Sequence, residues 1–290
     1  MKKSLISSII LSLFFISCGD GNQQSNDSSQ EADVQEEFLK EESGEADMET
    51  ETFILPSTLQ IGTIFQRSGI GYIDGVVTDP SQIDAYVSKN AKLMNFGLYS
   101  ADLAYCILNG QSQKSLEFLN AVKSLAEGIG YSSIFSDQNL YKRFEANIDN
   151  KDSVLNLLVE IQENTDVFVE GNSMHEQTYV IFAGAWVEGM YLGINAFNKE
   201  NKGDIAKRLV EQMNIMTNLN KALESSERDL SDVDFVVDFL KDFENFYNNL
   251  ESIRDENGIV NVREATIADE DIDKMSSMVK DLRNKIIAVS

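Results

Sequence analysis

Two carboxylates stand in strongly apolar surroundings. Asp102 lies among Tyr99, Tyr105 and Cys106, and Glu188 lies among Trp186, Val187 and Met190. Withdrawal from water raises the pKa of a carboxyl group, as a general acid requires, and two such groups could flank a substrate bond. Asp102 and Glu188 are therefore the candidate catalytic residues. Each also has a structural alternative, in which it satisfies a tyrosine hydroxyl, a backbone end or a lysine across a helical bundle. Tyr99, Tyr105, Trp186 and Tyr191 could line a pocket for a sugar or a lipid, or could form an aromatic core cluster.

Other familiar chemistries fare worse. The single histidine, His175, stands beside Glu176, so neither a His-rich zinc site nor a di-iron Glu-x-x-His bundle can be assembled. A Ser-His-Asp triad would need His175, yet no Gly-x-Ser-x-Gly elbow is present. The acidic groups around Asp232, Asp255 and Asp269 lack the one-three-five ligand order of a calcium loop, with its glycine at six and glutamate at twelve. No metal and no cofactor is expected. Cys106 reads as a buried, inert thiol.

The elements that must position these residues are helical throughout. Asp79-Pro80 is a helix-start signal, and Ile83, Tyr86, Val87, Asn90, Ala91, Met94, Leu98, Ala101, Tyr105 and Leu108 follow at helical spacing. The same reading starts further helices at Ser57, Ser112, Asp137, Asp152 or Ser153, Asp204 and Ser231. It adds a final helix carrying Ile272, Met275, Val279, Leu282, Ile286 and Val289. Ile259 to Val262 could be briefly extended. Residues 179–197 are apolar all round apart from Glu188 and Asn195, which marks a central helix of a bundle. A membrane span is disfavoured there, since a charge at its centre costs about 2.5 to 3.5 kcal/mol. Gly184, Gly189 and Gly193 point to close helix packing, and Gly97 to a bend.

The expected fold is all-α: one domain over residues 53–290, with eight or nine mostly antiparallel helices. Gly97-Leu98-Tyr99 faintly mirrors Gly184-Ala185-Trp186, a hint of two facing helical hairpins.

The chain has 290 residues and a formal net charge of −24. Residues 19–52 hold 12 Asp plus Glu against the single Lys40, so much of the acidity is concentrated there. Their polar, acidic composition cannot bury enough surface to fold, and they read as a self-repelling spacer. With no Lys/Arg cluster to attract phosphate, nucleic-acid binding is excluded.

Ahead of the spacer, Lys2 and Lys3 precede an apolar run from Leu5 to Ile16, and Phe15-Ile16-Ser17-Cys18 closes it. This resembles the lipobox of bacterial lipoproteins. The resemblance implies cleavage after residue 17, a diacylglycerol on Cys18 and a chain anchored without a transmembrane helix. Gly19 after the cysteine resembles the sorting pattern that favours the outer membrane. Beyond this leader the mature part looks like uncharacterised helical envelope lipoproteins.

Two functions are consistent with these residues. One is a membrane-anchored, non-enzymatic envelope lipoprotein whose helical domain binds a partner protein or an envelope component. The other is a ligand-binding or hydrolytic domain using Asp102 and Glu188 in an aromatic pocket.

Overall fold

The computed structural model describes residues 71–137, 139–197, 202–254, 257–260 and 266–288. Cys18, the acidic spacer, the helix expected at Ser57, Val262 and Val289 lie outside the described residues. The chain divides into two units, Met1–Glu51 and Thr52–Ser290. All the described residues belong to the second.

Among the described residues the protein is all-α. Its helices are α1 (Lys89–Leu108), α2 (Ser112–Ile129), α3 (Leu140–Ala146), α4 (Lys151–Gly171), α5 (His175–Asn195), α6 (Lys202–Ser225), α7 (Asp234–Asn248) and α8 (Asp269–Ala288). Single 3-10 turns occupy Pro80–Ala85 and Ser132–Phe135. The only extended pairing among the described residues is the isolated bridge between Arg254 and Val260.

The helix starts depart from the expected ones in instructive ways. Asp79 does cap, accepting from the Ser81 amide, but it opens the short 3-10 turn and not a long helix. Tyr86 then turns extended, Val87 is exposed, and the Ser88 side chain caps α1 by accepting from the Ala91 amide. The single stripe expected from Ile83 onward is thus two elements, because Ser88 offers a second, competing cap. In the same way Asn150, not Asp152 or Ser153, caps α4 through the Ser153 amide. Ser112 and Ser231 do not cap. Ser112 is the first residue of α2 after an uncapped Gln111, and α7 begins at Asp234 behind Val233.

The expected core faces are nearly all inside. Leu119, Val122, Ala126 and Ile129 of α2, Ile205, Leu209, Met213 and Met216 of α6, and Ile272, Met275, Val279, Leu282 and Ile286 of α8 are buried in one continuous core. α1 and α5 form its centre, buried on almost every side. Their contact is unusually close. A Cβ built on Gly97 would lie 2.7 Å from the carbonyl carbon of Ile181, and one built on Gly184 would lie 2.7 Å from the carbonyl carbon of Met94. The relation is reciprocal, since Ile181 precedes Gly184 by three residues and Met94 precedes Gly97 by three. Gly97 therefore serves as a contact point; its lack of a side chain lets two backbones touch.

From this crossing both helices run the same way. Asp102 lies five residues beyond Gly97 and Glu188 four beyond Gly184, at about 1.5 Å of rise each. Their carboxyl groups are gathered by the same two residues, Thr78 donating to Asp102 and Arg283 donating to both Thr78 and Glu188. Antiparallel helices would carry these residues to opposite sides of the crossing. Short links pair α1 with α2 as a hairpin. The central pair is thus a same-direction contact inside an otherwise hairpin-built bundle. Among the described residues, no helix is long and apolar enough to cross a membrane.

Candidate functional site: a buried carboxylate pair

The close α1–α5 crossing brings the two sequence-selected carboxylates together. Asp102 and Glu188 are both 0% exposed. Opposite them stands Arg283 of α8, whose Nε donates to Glu188 Oε2 at 2.5 Å and whose Nη2 donates to Oε1 at 2.9 Å. This two-pronged grip is the strong geometry for an arginine and a carboxylate. The face of the Tyr191 ring lies 4.2 Å from the guanidinium carbon, adding a cation–π contact.

The third wall is residues 71–78, a strap laid over the bundle before the first 3-10 turn. Thr78 donates to Asp102 Oδ2 twice, from its amide at 3.0 Å and from its hydroxyl at 2.5 Å. Arg283 Nη2 donates in turn to the Thr78 hydroxyl at 3.1 Å and to the Val76 carbonyl at 3.4 Å. Tyr105 holds the other end of the strap, accepting from the Ile73 amide at 2.9 Å and donating to the Gly71 carbonyl at 3.2 Å. Tyr72 stacks on Tyr105 and lies under Lys114, which also pairs with Asp74.

The electrostatics follow from this inventory. Burial, and next the nearby Glu188 charge, push the Asp102 carboxyl well above the usual carboxylate range; Arg283 and Thr78 work in the other direction without winning. Burial alone would lower the Arg283 pKa, but the Glu188 carboxylate more than offsets it and the net shift is upward. Burial likewise pushes up the Tyr99, Tyr105 and Cys106 side chains. Cys106 is a free, fully buried thiol.

The four aromatic candidates divide. Tyr105 and Tyr191 border the cluster through the strap and Arg283. Tyr99 is bonded elsewhere: its hydroxyl meets that of Tyr86 at 3.2 Å and donates to the Asp79 carbonyl, while its ring tilts against Phe118. Trp186 belongs to a separate aromatic group, edge-on to Phe243 with Nε1 donating to the Gln212 carbonyl at 3.3 Å. These four rings do not line one common space. His175 sits exposed at the start of α5. Among the described residues no group of three or more His, Cys, Asp or Glu is placed to hold a metal ion.

Sequence reasoning missed Arg283 and Thr78. For Arg283 a signal existed. It follows Leu282 and falls four residues after Val279 and three before Ile286, so a cation sits on the apolar stripe of α8. Thr78 gave none, being one polar residue of a loop.

Chemically, a carboxyl pair sharing one proton can act as an acid. Here each oxygen-bearing group is closed off by Arg283, Thr78 and the strap, and neither carboxylate reaches solvent. The arrangement binds four segments of the chain to one another. No protein-family model, curated protein or solved structure matches this chain.

Proposed function

We propose that the protein is an exported lipoprotein anchored in the cell envelope through Cys18, with the outer membrane as its favoured site. Its helical domain is a non-enzymatic module that binds a partner protein or an envelope component. The acidic stretch of residues 19–52 gives it reach from the membrane. The observation that carries the non-enzymatic reading is the closure of the Asp102–Glu188–Arg283–Thr78 cluster upon itself, with both carboxylates fully buried. The cluster ties the strap, α1, α5 and α8 together through side chains that leave no carboxylate open to solvent. Here it fixes the strap of residues 71–78 to α1, α5 and α8. The hydrolytic or ligand-binding alternative needs a substrate to reach Asp102, which requires the strap to lift away from α1, α5 and α8.

The test is made in the native host. Wild type and Cys18→Ser are compared by membrane fractionation and by labelling with a clickable fatty acid. Label and membrane residence in the wild type, both lost in Cys18→Ser, support the anchor. Equal residence of the two forms contradicts it. Deleting residues 19–52 while keeping Cys18 is expected to impair partner capture, and unchanged capture would refute a role in reach.

A further inference from the structure

We infer that Asp102 carries a proton in the folded chain, and that this proton latches the strap of residues 71–78 to the helical core, so that the strap loosens as pH rises. The inference concerns the folded domain and is independent of how the chain is anchored.

Two carboxylates and one guanidinium, if all are ionised, leave one unbalanced negative charge at a place with almost no solvent. Asp102 and Glu188 are 0% exposed, and Thr78 and Arg283 are each 7% exposed. A buried unpaired charge is costly enough that the group neutralises instead. Hydrogen bonding leads to the same place. Asp102 Oδ2 accepts both bonds from Thr78, while Oδ1 has no donor among the described residues. The neighbouring polar group is the Glu188 carboxyl, which only accepts when ionised. Both of its oxygens already take bonds from Arg283, the geometry of an ionised carboxylate. A proton on Asp102 therefore removes the surplus charge and supplies the missing bond in one step.

Titratable groups face Asp102 from several elements. The strap contributes Thr78, the extended residue after the 3-10 turn contributes Tyr86, α1 contributes Tyr99, Tyr105 and Cys106, α5 contributes Glu188 and Tyr191, and α8 contributes Arg283. Burial raises Tyr86, Tyr99, Tyr105 and Cys106, so these remain uncharged while Asp102 titrates. Arg283 keeps its charge throughout. Within the cluster the variable charge is that of Asp102.

When the proton leaves, two adjacent carboxylates repel across one guanidinium. The strap gives first. It has no helical hydrogen bonding of its own, and Thr78 bonds both to Asp102 and to Arg283. The effect has a definite sign. Folding raises the Asp102 proton affinity, so the native state holds more protons than the unfolded one above the ordinary carboxylate range. Stability from this group is then greatest in acid and is lost as pH rises through the folded value.

The experiment is hydrogen exchange read by mass spectrometry on the whole chain, corrected for intrinsic exchange, at about pH 5 and about pH 9. Asp102→Asn runs beside it, its amide standing in for the proton-bearing acid, Oδ1 toward Thr78 and Nδ2 toward Glu188. In the wild type, protection of residues 73–78 should fall by about tenfold or more across this range, one pKa unit being worth a factor of ten. In Asp102→Asn it should stay level. A level wild type, an equal fall in the variant, or an Asp102→Asn chain that does not fold would each overturn the proposal. A wild-type readout decides it without any variant: the infrared spectrum near neutral pH should contain a buried protonated-carboxyl stretch, and its absence would also overturn the proposal.

Discussion

Replacing Gly97 by alanine sets two principles against each other at the centre of the fold. Helix propensity alone favours the change by about 1 kcal/mol, because alanine stiffens the unfolded chain and suits a helix interior. Packing opposes it. The added Cβ would stand 2.7 Å from the Ile181 carbonyl carbon and 3.0 Å from the Ala185 amide nitrogen, where ordinary contacts begin at 3.4 Å. Both obstacles are backbone, so no side chain can swing aside. α1 and α5 must move apart, at the upper end of the roughly 1 to 3 kcal/mol that overpacking costs. The separation also draws Asp102 away from Glu188 about one turn further on. The expected net result is a loss of about 2 kcal/mol, packing outweighing propensity. Because Gly184 meets Met94 reciprocally, Gly184→Ala should cost the same within error. Urea denaturation monitored by the fluorescence of the buried Trp186 reads both directly. A gain of about 1 kcal/mol in either variant would mean that propensity alone operates, and the close crossing would be refuted.

Other consequences follow from the buried polar groups. Glu188→Gln removes the two-pronged acceptor of Arg283 and leaves Asp102 as the one carboxyl beside the guanidinium, so the loss should be that of charge-assisted hydrogen bonds, about 1.5 to 3 kcal/mol by denaturant titration; a loss below about 1 kcal/mol would show the pair to be solvated. Tyr131 is fully buried, its hydroxyl has no hydrogen-bond partner among the described residues, and burial pushes its pKa up to about 12. Tyr131→Phe should therefore be neutral or stabilising by about 1 kcal/mol in thermal melts, since it removes an unpaired polar atom without changing the ring. A clear loss would reveal a partner for the hydroxyl.

Much of this organisation is written locally in the chain. The apolar stripes of α2, α6 and α8 could be read from spacing alone because each faces one core, and a period of 3.6 leaves a direct trace in sequence. The all-round apolar character of the stretch around Glu188 likewise identified the central helix. Helix starts were harder. Asp79 caps only the short 3-10 turn while Ser88 caps α1, and Asn150 caps α4 in place of Asp152 or Ser153, which lie within a turn of it. Asp102 and Glu188 stand out in the sequence because an acid inside an apolar run needs an explanation. That Arg283 and Thr78 supply it depends on contacts spanning 95 and 24 residues of chain, which no local pattern encodes. The aromatic candidates show the complementary limit. Tyr99 and Trp186 look alike in sequence to Tyr105 and Tyr191, yet their rings face different neighbours once α1 and α5 are placed.

The most direct test of a closed, non-enzymatic domain on a lipid tether is native mass spectrometry of the full protein gently extracted from its host, with Cys18→Ser alongside. The wild-type chain should begin at Cys18 with added acyl-glyceride mass, and neither form should carry a further small molecule. A small molecule retained by both forms and lost in Asp102→Asn would contradict it, since the carboxylate pair would then be serving a ligand and not the fold.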